Sequence, residues 1–180
     1  MQINPTEIAD VKRITLTRHG DARGFFMERF RADIWAEAGM PTLVQCNHSR
    51  SQPGVLRGLH LQHTPGQGKL VGVSAGRILD VAVDVRKDSP TYGKHVAVEL
   101  DESELLWMPE GFLHGFCVLG ELPADVLYYV SGYYNAAGEA GVHYADPTLA
   151  IDWPITNPIV SERDAALPPL ADAKNLYKPA

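Results

Sequence analysis

A chain of 180 residues with 45% hydrophobic and 21% charged side chains can bury a core as one domain over residues 1–180, and no apolar run approaches the roughly 20 residues that span a bilayer. Its net charge of −6 excludes general electrostatic affinity for nucleic acid and leaves room for a local basic pocket that takes a phosphorylated small molecule. Cys46 and Cys117 form neither a disulfide framework nor a paired metal knuckle and are expected to be reduced packing residues; the start, MQINPTEIADVKR, lacks secretory features, so the expected compartment is the cytoplasm.

Helical composition first occurs at residues 31–38, which Gly39 stops. From about Val55 to Ser131, short β-branched and aromatic runs alternate with Gly, Pro, Asp and Ser, the pattern of an antiparallel sandwich or barrel. The run at 54–62 carries Arg57 and His60. Strict alternation puts those two on opposite faces, so serving one pocket requires a bulge or twist, for which Gly58 is the easiest place. Residues 69–74, the Ala75-Gly76 turn and residues 77–85 read as a hairpin. In its second strand Leu79, Val81, Val83 and Val85 share one face, and Ile78, Asp80, Ala82 and Asp84 the other. At least one of the two acids is expected in solvent; the other is a candidate counter-charge inside a polar cavity.

Further strands are expected at 95–100, 105–108, 114–118 and 126–131. The last leads into a cluster of Tyr128, Tyr129, Tyr133 and Tyr134. Such a cluster suits strand packing, or a phenol acting as general acid beside a ring that stacks on a base. Tyr128 and Tyr129 are neighbours, so only one can point into a pocket. Residues 161–166 open as a helix behind a Ser161 N-cap. The Pro-containing tail from Leu167, with Lys174 and Lys178, is expected along the surface. Many short strands and little helix favour an all-β jelly roll with short peripheral helices, its two sheets enclosing a pocket.

His60, His63 and His114 raise a metal hypothesis, and Pro109-Glu-Gly-Phe-Leu-His114 fits the Pro-x-Gly-x-x-His pattern of metal-binding cupins. The first half of that site differs: such cupins carry His-x-His followed by Glu, whereas this chain has His60-Leu-Gln-His63 and then Lys69 where an acid is expected. A lysine there opposes a cation and favours an anion. The expectation is therefore no metal.

Taken together, these motifs resemble the dTDP-4-dehydrorhamnose 3,5-epimerase family. The matching stretches are Gly20-Asp-Ala-Arg-Gly-Phe-Phe-Met-Glu28, Gln45-Cys-Asn-His-Ser, Gly54-Val-Leu-Arg-Gly-Leu-His60, Gly68-Lys-Leu-Val, Asp80-Val-Ala-Val-Asp-Val-Arg86, Pro109-Glu-Gly-Phe-Leu-His-Gly115, Tyr133-Tyr-Asn and Ser161-Glu-Arg-Asp164. They run in order along nearly the whole chain. The resemblance implies a metal-free, cofactor-free cupin jelly roll that works as a homodimer on a dTDP-4-keto-6-deoxy sugar. It implies His60 as base, Tyr128 as acid, Asp164 orienting the base and Lys69 beside the sugar ketone. Substrate-binding positions fall on Arg23, Glu28, Gln45, Cys46, Asn47, Arg57, His114, Glu139 and Arg163, with Tyr134 stacking on thymine. Cys46 stands where Asp is frequent and is expected to act through its backbone; Arg163 replaces a frequent Lys and keeps the charge. The 23–28 segment is the candidate for reaching into a partner's pocket. Alternatives are an epimerase inverting one carbon, a ketoisomerase, a non-enzymatic sugar-binding cupin and a metal-dependent cupin oxygenase.

Overall fold

Runs of Val, Leu, Ile and aromatic residues with period-two polarity dominate the chain, and in the computed structural model they form strands. Residues 1–174, 176 and 177 are described, so Lys178 lies outside the described residues. Among these the elements are β1 (Gln2–Pro5), β2 (Lys12–Thr15), β3 (Arg18–Asp21), β4 (Gly24–Met27), α1 (Ala32–Glu37), β5 (Gln45–Ser51), β6 (Leu56–Gln62), β7 (Lys69–Ala75), β8 (Ile78–Asp84), β9 (His95–Leu100), β10 (Glu104–Met108), β11 (Phe112–Val118), β12 (Ala124–Val130), β13 (Glu139–Gly141) and α2 (Glu162–Ala165). One sheet runs β1-β2-β10-β7-β12-β5, the second β13-β6-β11-β8-β9, and β3 pairs only with β4. The pairings within these sheets are antiparallel, giving the all-β jelly roll expected from the strand pattern.

The predicted hairpin of β7 and β8 is not formed. β7 pairs with β10 and β12, whereas β8 pairs with β11 and β9 in the other sheet. Gly76, at φ 81, turns the chain from one sheet to the other, and a Cβ there would lie 2.5 Å from the Pro123 carbonyl oxygen. The turn is where the sequence puts it, but a turn signal does not say whether the flanking strands pair with each other.

Three apolar layers hold the sheets. Val71, Val73, Ile78, Ala82, Leu106, Met108, Phe112, Phe116 and Val126 pack between them. Leu79, Val81, Val83 and Val85 emerge on the outer face of the second sheet, packed with Leu59, Leu113, Val142, Leu149 and Leu170. Each such side chain contributes about 1.5–3 kcal/mol of transfer free energy. The described part of the tail runs along the surface but is anchored at one point: Leu170 is buried, its N–H donates to the Asp146 carboxylate (2.8 Å), and the Pro168 carbonyl accepts from His143 N–H. Lys174 stays exposed. On the outer face of the first sheet, Leu70, Leu105 and Trp107 lie under Trp35 of α1, and Tyr129 stacks on Phe30 at 5.6 Å.

The two strand acids depart from expectation, because Asp80 and Asp84 are both 0% exposed. Asp84 accepts hydrogen bonds from Arg86, Ser89 and Thr91. Burial pushes this carboxyl up, yet those donors prevail and hold it at about 2. Asp84 therefore clamps the turn after β8. Cys117 is buried as expected, but Cys46 is exposed on β5 and packs no core.

Candidate active site

A cavity of about 530 Å³ opens between the sheets, walled by Asn47 and Ser49 of β5, Arg57 and His60 of β6, Lys69, His114, Tyr128 and Glu139, with Arg163 and Asp164 of α2 at one side. The entry of both Arg57 and His60 follows from a bulge. On β6 the step from residue 57 to 60 spans three positions, while on β11 the partners are Phe116 and His114, two apart. Gly58 takes the extra residue at φ 123; a Cβ there would meet Gly115 Cα at 2.6 Å and the His114 oxygen at 2.8 Å. Gly58→Ala is expected to cost about 3 kcal/mol, lowering Tm by on the order of 10 °C. An unchanged melting curve would mean that the bulge tolerates a side chain.

Asp164 is fixed before it meets His60. Ser161 caps α2 by accepting from Asp164 N–H at 3.0 Å, and the buried Asp164 carboxylate accepts from Gly58 N–H at 3.1 Å and pairs with His60 Nε2 at 2.8 Å. The bulge glycine and the histidine thus share one carboxylate. With Nε2–H directed to Asp164, the His60 lone pair is on Nδ1. Burial lowers the His60 pKa; Asp164 opposes this, while Lys69 and Arg163 reinforce it. The imidazole is consequently neutral near pH 7 and can accept a proton.

Lys69 donates toward the His60 carbonyl oxygen at 3.4 Å. Burial pulls its ammonium down to about 8, with Glu139 and Asp80 acting against the fall. Tyr128 sits on the facing sheet, opposite Asn47 and Val71 in register, and burial raises its phenol pKa, keeping it a proton donor. Glu139 accepts from Arg163 (2.8 Å) and from the Tyr134 hydroxyl (3.1 Å), which sets Tyr134 at the rim with 57% of its surface exposed. Arg57 is braced by Ser51, whose Oγ accepts from Nε at 2.9 Å.

Not every residue expected in the site reaches it. Gln45 shares the inward face of β5 with Asn47 but does not line the cavity; it donates to Asn47 and accepts from Tyr134 N–H. Cys46 faces the opposite side of β5, since 45, 47 and 49 are the positions that alternate inward. Arg23 and Glu28 flank β4, outside the cavity, and Arg23 pairs with Asp21. His63 bonds Thr64 and does not converge with His60 and His114; among the described residues no three His, Cys, Asp or Glu side chains come together as a metal site.

Four polar side chains were missed. Ser49, Gln67 and Ser161 also line the cavity, and Ser49 Oγ is buried with no hydrogen-bond partner among the described residues. Its i+2 spacing from Asn47 was the available signal. Ser51 carried none. A larger groove of about 870 Å³ lies between the turn after β8 and the C-terminal segment. Its Arg86 is already paired with Asp84 and Asp10.

Over residues 5–172 the sequence matches the dTDP-4-dehydrorhamnose 3,5-epimerase family. It is 46% identical over 169 residues to the dTDP-4-dehydrorhamnose 3,5-epimerase of Shigella flexneri, covering 91% of this chain and 93% of that one. It is also 42% identical over 180 residues to the dTDP-4-dehydrorhamnose 3-epimerase of Streptomyces niveus, covering 97% and 86%. Among solved structures, the dTDP-6-deoxy-D-glucose-3,5-epimerase of Legionella pneumophila in complex with dTDP-4-keto-L-rhamnose is similar, with a TM-score of 0.90, 47% identity and coverage of 94% and 93%.

Proposed function

The chain belongs to the dTDP-4-dehydrorhamnose 3,5-epimerase family of cupin-fold isomerases, and we propose that it converts dTDP-4-dehydro-6-deoxy-D-glucose to dTDP-4-dehydro-L-rhamnose. The observation that carries this reading is the neutral, carboxylate-oriented His60 on one sheet facing Tyr128 and Lys69 on the other across a single cavity. A binding module has no use for that arrangement.

Hydrogens on carbons 3 and 5 are acidic because the carbon 4 ketone can take the charge as an enolate. His60 Nδ1 removes the proton, and Asp164 stabilises the imidazolium that results. Lys69 stabilises the developing oxyanion, worth roughly 3 kcal/mol for one well-placed donor. Tyr128 delivers a proton from the opposite face, so the centre inverts. Substrate and product share one oxidation level, and the steps need no redox cofactor. Arg57 and Arg163 supply charge for the pyrophosphate, Arg57 through a planar fork that suits paired oxygens. Tyr134 offers its exposed ring to the base.

Arg23 and Glu28 enter this reading through a second copy. The β3–β4 hairpin leaves Phe25 and Phe26 46% and 71% exposed and joins neither large sheet; in a homodimer it would bring Arg23 and Glu28 to the partner's cavity. The two unpaired thiols fit a reducing compartment, the cytoplasm.

The Streptomyces niveus relative, a 3-epimerase, supports a second reading in which only one carbon is inverted. Proton NMR of the product formed from dTDP-4-dehydro-6-deoxy-D-glucose separates the two. Inversion at both carbons is expected; inversion at one alone supports the second reading, and an unchanged substrate overturns both.

A further inference from the structure

Asp80 lies on the face of β8 that turns toward the other sheet, out of contact with the cavity and with solvent. One oxygen is 2.7 Å from His114 Nε2, and the other is buried with no hydrogen-bond partner among the described residues. A carboxylate left half-bonded in a sandwich interior is costly, and packing alone would be served better by an apolar residue of similar size. Its hydrogen-bond partner on the cavity wall is His114, and its charge reaches Lys69, whose Nζ lies 3.4 Å from the carbonyl oxygen of His60, the register partner of His114.

We infer that Asp80 is a positioning residue: it touches no substrate, holds the His114 proton on Nε2 so that Nδ1 faces the cavity as an acceptor, and supplies the fixed negative charge behind Lys69. This rests on the reading of the cavity as an epimerase site. A carboxylate acceptor makes Nε2–H the favoured tautomer, and Nδ1, for which no protein partner is found among the described residues, is then free to accept from a sugar hydroxyl. His114 is opposite His60 in register, so the second imidazole is aimed beside the base. For Lys69, burial lowers proton affinity while Glu139 and Asp80 restore it. Besides Asp80 on β8, the titratable and charged groups that share the cavity with that ammonium are Arg57 and His60 on β6, His114 on β11, Tyr128 on β12, Tyr134 beyond it, Glu139 on β13, and Arg163 and Asp164 on α2.

The test is kcat/KM against pH for the wild type and Asp80→Asn, which keeps the shape and an acceptor but removes the charge. The wild type is expected to lose activity as pH rises through about 8, where Lys69 sheds its proton. In Asp80→Asn this limb moves to lower pH by up to roughly one unit, so that the loss relative to wild type grows by up to about tenfold between pH 6.5 and 9. A loss equal at every pH, as a packing defect would give, overturns the inference. Nitrogen-15 NMR of the His114 ring in the wild type decides the case independently of turnover and of whether the variant folds. A proton on Nε2 supports the inference, and a proton on Nδ1 overturns it. If the wild type leaves the substrate unchanged, the epimerase reading fails by itself while the NMR result still judges Asp80.

Discussion

Replacing His60 with alanine is expected to stop the uptake of solvent deuterium at carbons 3 and 5 of dTDP-4-dehydro-6-deoxy-D-glucose, with exchange falling by on the order of 10³-fold or more at both positions. In the proposed reaction both inversions begin with removal of a proton next to the ketone, and the His60 imidazole, bonded to Asp164, lines the cavity where that base is needed. Asp164 cannot take over. Its carboxylate is committed to Gly58 N–H and to the histidine, and it is buried behind the ring. Binding of the nucleotide should survive, because Arg57, Arg163 and Tyr134 do not depend on the imidazole. The variant therefore separates affinity from chemistry: dTDP binding within a few-fold of wild type, exchange lost. Exchange at the wild-type rate in His60→Ala would remove His60 from the role of base.

Much of the fold was legible because burial imposes a period on the residues. β9 coincides with its predicted span, and β10, β11 and β12 differ from theirs only at the ends. The alternation in β8 sorted Leu79, Val81 and Val83 from Ile78 and Ala82, which pack in different layers. The strands at the N-terminal end, β1 to β5, were not predicted. The sequence of β5, Gln45-Cys-Asn-His-Ser-Arg-Ser51, is polar on both faces, and tertiary pairing rather than hydrophobic period makes it a strand, while β1 to β4 are only four residues each. Long-range choices were equally out of reach. Gly76 announces a turn, but whether β7 and β8 then pair depends on β10, β11 and β12, which follow later in the chain.

At the site, local geometry could be read and buried charge could not. Arg57 and His60, three apart, demanded a bulge at Gly58, and the register shift between β6 and β11 supplies it. At least one of Asp80 and Asp84 was expected in solvent, because their partners are distant or beyond the strand: His114 is 34 positions from Asp80, and Ser89 and Thr91 lie in the turn after Asp84. Arg23 and Glu28 are a different case: both are exposed, and neither lines the cavity.

Tyr128→Phe should divide the reaction where His60→Ala abolishes it. The two adjacent tyrosines are separated by the sheet: Tyr129 stacks on Phe30 outside, and Tyr128 lines the cavity. Phenylalanine keeps the ring and its packing and removes the proton. His60 can still form the enolate, and its acquired proton can exchange with solvent and return to the same face. The expected product is therefore substrate carrying deuterium at carbons 3 and 5 with its configuration kept. Inversion should fall by roughly 10²–10⁴-fold while exchange persists within about tenfold of wild type. Loss of both in parallel would mean that the hydroxyl is needed for binding or enolate formation. Inversion at the wild-type rate would assign the acid to a water or to another donor on that wall, Ser49 being the buried hydroxyl nearest in register to Tyr128's partner Asn47.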